Sequence, residues 1–542
     1  MKNLKTLFLE KIKDGLKRDS IQEPASWAEN YRVMPKGNWN FKFHPWLKEM
    51  HNSDAELNIG QKSAQMGYTE TVLNLAFYHI DMYGRDCLYV LPSKTPDASD
   101  FSASRFDASL DLSPHLNNLF SDVRNVGHKR AGAANLYIRG SNSKAGLRSI
   151  PVSVIVVDEV DVMNQANIPL LMERVSGQME YWVWMISTPT IPKKGINKYF
   201  LESSQEHFFF KCPRCSRLTE LVYPDCLVVT AEKITDPSLK DSHLICKECK
   251  GTLDHKAKPE WLANAEWVPK YNYDSRGFYI SQLYSCMVKP QTLAASHLRA
   301  QYNPADEQEL YNSKLGLPHT VAGAQITAEQ VEDCKGNYKQ GAKPSKNIIT
   351  MGIDVGRWLH YEIIEWEFGK KQNSVNDMAV GKVLRGHKCK EFEELNDLMH
   401  RYNVTFAVID ANPEKRKSLE FCNRFYGRAK MAYYHKGNIG RTISVHSDIP
   451  SITVDRTVWL DVALGRFKNK TISIPLDVGV EYEDHMQALA RIYTKDAQGN
   501  IVGRYDKPDH IEDHFAHARA YSEMALPFAV NFNSNKDVNR LI

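Results

Sequence analysis

Apolar runs of strand length, broken by polar turns and helix-period stretches, recur along the chain. Pro151-Val-Ser-Val-Ile-Val-Val-Asp158-Glu159-Val-Asp161 is a β-branched run that closes on three acids. Its lack of polar alternation predicts a strand buried on both faces, as in a parallel sheet covered by helices. Glu56-Leu-Asn-Ile-Gly60, Asp86-Cys-Leu-Tyr-Val-Leu-Pro92, Asn135-Leu-Tyr-Ile-Arg139 and Trp182-Val-Trp-Met-Ile186 predict further strands. Val72 to Tyr83 and residues 98–120 read as helices between them, which makes this half α/β. A second series starts at Asn347-Ile-Ile-Thr-Met-Gly-Ile-Asp354-Val-Gly356. It continues through Tyr361 to Phe368, Met378 to Val383, Thr405-Phe-Ala-Val-Ile-Asp410, a helical Lys415 to Phe425 and a helix within Pro508 to Tyr521.

The charges at the strand ends change this picture. In an open α/β sheet, ligands bind at the carboxyl ends of the strands. Asp158 there would hold Mg²⁺ directly or through water, and Glu159 would orient the attacking water. The competing reading is a core strand running into an acidic turn. Upstream, Gln61-Lys62-Ser63-Ala-Gln-Met-Gly67-Tyr68-Thr69 joins a strand to a helix, the order a phosphate-binding loop needs. Against the usual G-x-x-x-x-G-K-[ST] pattern, Lys62 stands where the first Gly belongs and Tyr68 where the Lys belongs. A flexible ammonium reaches the β- and γ-phosphates from either end of a short loop, Gly67 keeps close backbone approach, and Thr69 keeps a hydroxyl for Mg²⁺. The loop residues Lys62, Ser63, Gly67, Tyr68 and Thr69 are therefore the expected ATP contacts.

The second half carries its own acids. Asp354 and Asp410 fall at strand tips, and Asp513 lies in Pro508-Asp509-His-Ile-Glu512-Asp513-His514-Phe-Ala-His517. Two strand-tip aspartates followed by a helical acid are what an RNase H-like nuclease requires, since two Mg²⁺ or Mn²⁺ ions roughly 3.5–4 Å apart need bridging carboxylates from different elements. Asp354 would bridge, Asp410 would hold one ion and Asp513 the other; each alone also reads as a strand or helix cap.

At 542 residues the chain is long enough for more than one core. Its 69 basic and 65 acidic residues give a formal +4, too mild to argue nucleic-acid binding from charge alone. No apolar stretch reaches membrane-spanning length, and the charged amphipathic start, Met1 to Lys13, is no signal peptide, so a soluble cytoplasmic protein is expected. Among ten cysteines, Cys212-Pro-Arg-Cys215 and Cys246-Lys-Glu-Cys249 form two knuckles. Four thiolates saturate a tetrahedral Zn²⁺, so these predict a structural zinc ribbon rather than a redox pair. Cys87, Cys226 and Cys422 read as buried thiols.

Taken in order, several of these stretches resemble the large terminase subunits of tailed phages, in their lambda-like (GpA-type) branch. The resemblance rests on Lys62-Ser-Ala-Gln-Met-Gly-Tyr-Thr69, Tyr89-Val-Leu-Pro-Ser93, Asp100-Phe-Ser-Ala-Ser-Arg105, Arg139-Gly-Ser-Asn-Ser-Lys-Ala-Gly-Leu-Arg148, Ile186-Ser-Thr-Pro-Thr190 and Tyr311-Asn-Ser-Lys-Leu-Gly-Leu-Pro318, and covers about residues 25–525. It implies a subunit that drives double-stranded DNA into a procapsid with ATP and cuts concatemeric DNA. Its implied partners are a small terminase subunit, the portal protein and further copies in a homo-oligomeric ring, in the host cytoplasm. It implies an adenine platform in the aromatic segment before the loop, of which Phe43 is named, and a coupling role for Thr188. Arg148, or in second place Arg139, would act in trans on a neighbour's γ-phosphate; a plain solvated arginine is the alternative. His517 stands where the family often has an acid, which leaves Asp509 or His514 as substitutes for Asp513.

The expected organisation is a P-loop ATPase domain of additional-strand, RecA-like type over residues 1–325, with a zinc-ribbon insertion at 207–268. A linker at 326–346, an RNase H-like α/β nuclease domain at 347–526 and a flexible, portal-docking tail at 527–542 follow. A helicase-like remodeller would account for the first half but not the ordered aspartates of the second, and a transposase-like zinc nuclease for the aspartates and cysteines but not Lys62, Asp158 and Glu159. Two degenerate binding domains are the non-enzymatic alternative.

Overall fold

The computed structural model describes residues 23–142, 147, 150–345, 347–368, 379–435 and 443–534. The chain divides into two compact units, Met1–His319 and Thr320–Ile542.

In the first unit, seven parallel strands form the middle of an eleven-stranded sheet, in the order Glu206–Lys211, Arg276–Ile280, Leu57–Lys62, Trp182–Ser187, Val154–Asp158, Cys87–Leu91, Ala134–Gly140. Every residue of Cys87–Leu91 and of Val154–Asp158 is buried, as the unbroken apolar runs require. Each buried Val or Ile there contributes roughly 1.5–3 kcal/mol. Trp182–Ser187 is inserted between the strand that ends at Lys62 and the strand that ends at Asp158, which is the additional-strand order. The register pairs Gln61 with Ser187 and Asp158 with Ile186, so all three strands end along one edge.

The helix after the loop begins at Tyr68, four residues earlier than its apolar period indicates, and runs to Tyr83. Gly67, at φ +86°, supplies the left-handed turn that lets it start there. A Cβ at Gly60 would lie 2.6 Å from the Tyr68 ring and 2.9 Å from Ile186, so this close helix-on-strand approach needs glycine.

The cysteine-bearing segment grows out of the same sheet. Glu206–Lys211 pairs with Arg276–Ile280, and Glu266–Val268 returns antiparallel to it. A separate three-stranded sheet, Leu227–Val228, His243–Ile245 and Thr252–Leu253, lies between those ends.

The second unit is built on an eight-stranded mixed sheet. Ile348–Val355 sits at its middle, antiparallel to Leu359–Phe368 and parallel to Phe406–Asp410. Phe392–Arg401 buries Leu395, Leu398 and Met399 in one of the unit's two apolar clusters, and the long helix His514–Ser534 belongs to the other. That helix lies directly on Ile348–Val355: a Cβ on Gly352 would collide with the Ala518 carbonyl and the Ser522 amide. Buried pairs anchor it, Arg519 to Glu362 at 2.6 Å and Arg466 to Glu523 at 2.6 Å.

Two expected boundaries are corrected. The 326–346 linker is part of the second unit: Thr327 caps the helix Ala328–Glu332, and Ile326, Val331 and Cys334 are buried in its core. Its Lys, Gly and Pro content misleads because the apolar residues are few but regularly placed. The tail does not begin at 527 either. The helix runs through Pro527 to Ser534, and Phe528, 6% exposed, stacks on Phe406 at 5.1 Å. Residues 535–542 lie outside the described residues. Among the described residues no helix is long and apolar enough to cross a membrane.

Candidate active sites

At the carboxyl edge of the first sheet, a cavity of about 830 Å³ is lined by Lys62, Gly67, Thr69, Glu159, Thr188 and Phe43, among others. Lys62 lies 3.3 Å from Glu159 Oε1, with the lysine buried and the glutamate 40% exposed toward the cavity. Glu159 adopts φ +66°, a left-handed turn that swings its side chain off the strand tip. Asp158 stays behind it, 2% exposed, accepting a 2.7 Å hydrogen bond from Tyr89 at Oδ2 while Oδ1 has no partner. Burial, then the neighbouring Glu159 charge, push the Asp158 carboxyl up to about 6 against the opposing Lys62 and the Tyr89 and Thr69 hydroxyls. An orphaned, buried carboxylate oxygen beside a threonine hydroxyl fits a hard divalent cation.

Asp161, the third acid of the run, is structural. It accepts from the Thr190 amide and hydroxyl and the Ile196 amide at 2.8–2.9 Å, and so shapes the turn that carries Thr188. Residues Tyr311 to Pro318 reach the same place from the other side. The Asn312 amide donates to the Thr190 carbonyl at 2.8 Å, Ala64 N to the Ser313 carbonyl at 2.8 Å, and the Gln61 amide to the Gly316 carbonyl at 3.0 Å.

Three expected nucleotide or arginine contacts stand differently. Ser63 is fully buried and does not line the cavity; its amide is spent on the Ile280 carbonyl, because the strand continues to Lys62. Tyr68 lines the floor, but its ring is 1% exposed and packs over Gly60, as befits a helix-start residue facing the core. Arg139 donates to the Gly127 and Ile138 carbonyls, the first closely and the second at 3.0 Å. Arg148 lies outside the described residues.

In the second unit, Asp354 and Asp410 end adjacent parallel strands, which are in register up to Ile353 and Ile409. Burial and the nearby Asp354 charge push the Asp410 carboxyl up to about 6, against hydrogen bonds from the Asn412 amide and Tyr521. Asp513 is turned to cations instead: Lys507 Nζ at 2.9 Å and His517 Nε2 at 3.2 Å, with Arg456 at 3.9 Å. Burial opposes its charge, but those partners outweigh it and hold Asp513 well below the usual carboxylate range. The next residue, His514, places Nδ1 2.7 Å from Asp354 Oδ2, and that hydrogen bond raises its pKa.

The four knuckle cysteines converge, with one sulfur from each within 4.8 Å of the others and Cys212 and Cys249 4.0 Å apart. The Arg214 amide points at Cys212 Sγ and the Glu248 amide at Cys246 Sγ, both at 3.4 Å, which suits thiolates. Burial pushes Cys212 up to about 12, while amides on Cys246 outweigh burial and bring it down to about 7.

The model of the phage terminase large subunit gpA ATPase domain matches residues 34–267, and that of the gpA endonuclease domain matches residues 275–447. The chain belongs to the gpA family of phage terminase large subunits. A terminase large subunit of Enterobacteria phage P21 is 23% identical over 388 residues, 63% of this chain and 60% of that relative's length. The chain thus spans less than two thirds of that curated terminase. The crystal structure of the HK97 bacteriophage large terminase matches with a TM-score of 0.51 at 11% identity, over 93% of this chain and 98% of that one, which shows a shared fold.

Within this terminase fold, sequence reasoning missed several residues. Arg105 lines the nucleotide-sized cavity and pairs with Glu70 at 3.1 Å, and Gln65 lines it at φ +58°. Arg105 closes one of the resembling motifs, so a signal existed, but nothing in its spacing joins it to Lys62. Tyr89, read as a plain strand residue, holds Asp158, and His360 lies one residue outside the apolar run Tyr361 to Phe368.

Proposed function

We propose that this chain is the motor-and-nuclease subunit of a DNA-packaging machine. The first unit hydrolyses ATP to move double-stranded DNA into a procapsid, and the second cleaves concatemeric DNA with divalent ions. The observation that carries the first part is Lys62 and Glu159 meeting on one cavity from the ends of two separate strands, with Asp158 buried directly behind Glu159. Thr69 and Asp158 would hold Mg²⁺, which neutralises phosphate charge when bound; Lys62 meets the β- and γ-phosphates and Glu159 orients the attacking water. Phe43, 41% exposed at the cavity wall, offers a face for adenine, and Thr188, on the turn fixed by Asp161 and Asn312, senses the γ-phosphate. Arg148 acts in trans within a homo-oligomeric ring.

The juxtaposed Asp354 and Asp410 support two-ion phosphodiester cleavage, with Asp513 or His514 completing the site. The cysteine tetrad takes a structural Zn²⁺, which closes the ribbon without an open position for chemistry. DNA, a small terminase subunit and the portal protein are the partners, and the host cytoplasm is the place of action. DNA contact is mainly to phosphates, so it is salt-sensitive and weakly sequence-selective.

Paired variants test the division of labour. Glu159→Gln should lower ATP turnover by roughly 10²-fold or more and leave plasmid nicking in Mn²⁺ intact, while Asp354→Asn should do the reverse. Loss of both activities in either variant, or of neither, would refute the assignment.

A further inference from the structure

Asp354 and His360 are direct partners across the hairpin that joins Ile348–Val355 to Leu359–Phe368. Opposed residues of an antiparallel pair share a face, with Cβ atoms about 5 Å apart. His360 is 4% exposed, and neither ring nitrogen has a hydrogen bond. Its nearest carboxylate is Glu481, at 3.8 Å. A buried polar group left without a hydrogen bond costs about 1–3 kcal/mol, a cost that a bound ion would offset. His514 lies parallel to it, ring centroids 4.6 Å apart at 9°, while holding Asp354 through Nδ1. One ligand atom from each of Asp354, His360 and His514 falls within 4.8 Å of the other two. The three come from a strand tip, the opposing strand and a helix start, which is how folded proteins assemble a metal site from distant sequence.

We propose that His360 and His514 join Asp354 as ligands of one divalent ion in the C-terminal site. This nitrogen-and-oxygen set selects a first-row transition ion such as Mn²⁺ over Mg²⁺. Mg²⁺ demands near-ideal octahedral oxygen and dehydrates reluctantly, whereas imidazole suits transition ions. Asp410 lies on the strand at the other side of Asp354, where it holds the second ion of the site assigned above. Asp513, committed to Lys507 and His517, then acts by keeping the helix start in place rather than as a ligand. Because this is the site assigned above to phosphodiester cleavage, the role of the ion in catalysis rests on that reading.

The test uses the full chain with Mn²⁺ alone and no nucleotide, read by pulsed electron paramagnetic resonance. Bound Mn²⁺ should show ¹⁴N coupling that changes to ¹⁵N coupling when histidine is labelled. His360→Ala and His514→Ala should each diminish it and raise the Mn²⁺ Kd by at least about tenfold. His360→Asp, which offers oxygen in the same place, should raise the ratio of Mg²⁺- to Mn²⁺-supported nicking. Bound Mn²⁺ without nitrogen coupling, or coupling and affinity unchanged in both alanine variants, overturns the assignment. If the variants do not fold, the labelled parent spectrum decides alone. Nitrogen coupling in a chain that cuts no DNA upholds the metal site and removes the nuclease reading. Cleavage abolished by Asp354→Asn around an all-oxygen ion does the opposite.

Discussion

Asp158 shows what a functional residue costs its own fold. It sits 2% exposed with one carboxylate oxygen unpartnered, and burial raises its pKa from the ordinary 3.8 to about 6. The folded chain therefore holds this proton more tightly than the unfolded chain does. Its contribution to stability is complete below pH 3.8 and is lost as pH rises through 6, so the ionised group is a net burden at neutral pH. Asp158→Asn should accordingly stabilise the nucleotide-free chain by about 2 kcal/mol at pH 7.5 and have little effect at pH 4, while abolishing ATP hydrolysis. Thermal unfolding of both proteins at the two pH values checks this; equal shifts at both would show that the carboxylate is not strained by burial. Lys62 was legible in the sequence as a displaced loop lysine, because an ammonium within a strand-loop-helix junction has few other uses. Tyr89 was not, since its hydroxyl matters only once a strand 69 positions away is alongside it.

At the scale of elements, two close approaches position the chemistry. In the second unit the helix His514–Ser534 rests on Ile348–Val355 through Gly352, with backbone atoms rather than flexible side chains at the contact. Gly352→Ala should push the helix off the strand, destabilise the unit by about 2–3 kcal/mol and abolish DNA cleavage by parting His514 from Asp354. ATP hydrolysis by the first unit should survive, and assay of both activities on one preparation measures the difference. In the first unit, Tyr311 to Pro318 grips both the phosphate loop and the Thr188 turn through Asn312, Ser313 and Gly316. Asn312→Ala removes the amide that holds the Thr190 carbonyl, and should lower the turnover rate several-fold with nucleotide affinity nearly unchanged. A rise in nucleotide Kd without a fall in rate would place the segment in binding rather than in coupling. The apolar runs made most strands visible in the sequence. The helix start at Tyr68 and the packed segment 326–345 were not, because a left-handed glycine and a few spaced apolar residues leave little periodic signal.

For the whole molecule, two units with separate cores predict two unfolding transitions. The cysteine tetrad hangs from Glu206–Lys211, a strand of the main sheet, so metal removal should reach beyond the ribbon. Elemental analysis should find one Zn²⁺ per chain. Chelation or Cys246→Ser should lower the first unit's transition and its ATP hydrolysis while leaving the second unit's transition in place. An unchanged first transition in the metal-free chain would make the ribbon an independent appendage.

The primary structure by itself determined the α/β class, the two acidic strand-tip sets, the cysteine knuckles and the family resemblance, because buried strands, metal ligands and phosphate loops write themselves as local patterns. Only the tertiary structure decided that Ser63 faces the core, that Asp513 is taken up by Lys507 and His517, and that His360 stands beside Asp354 and His514. Those outcomes depend on strand register and on which helix lies over which strand. Such relations join residues far apart in the chain and leave no trace in the spacing of their neighbours.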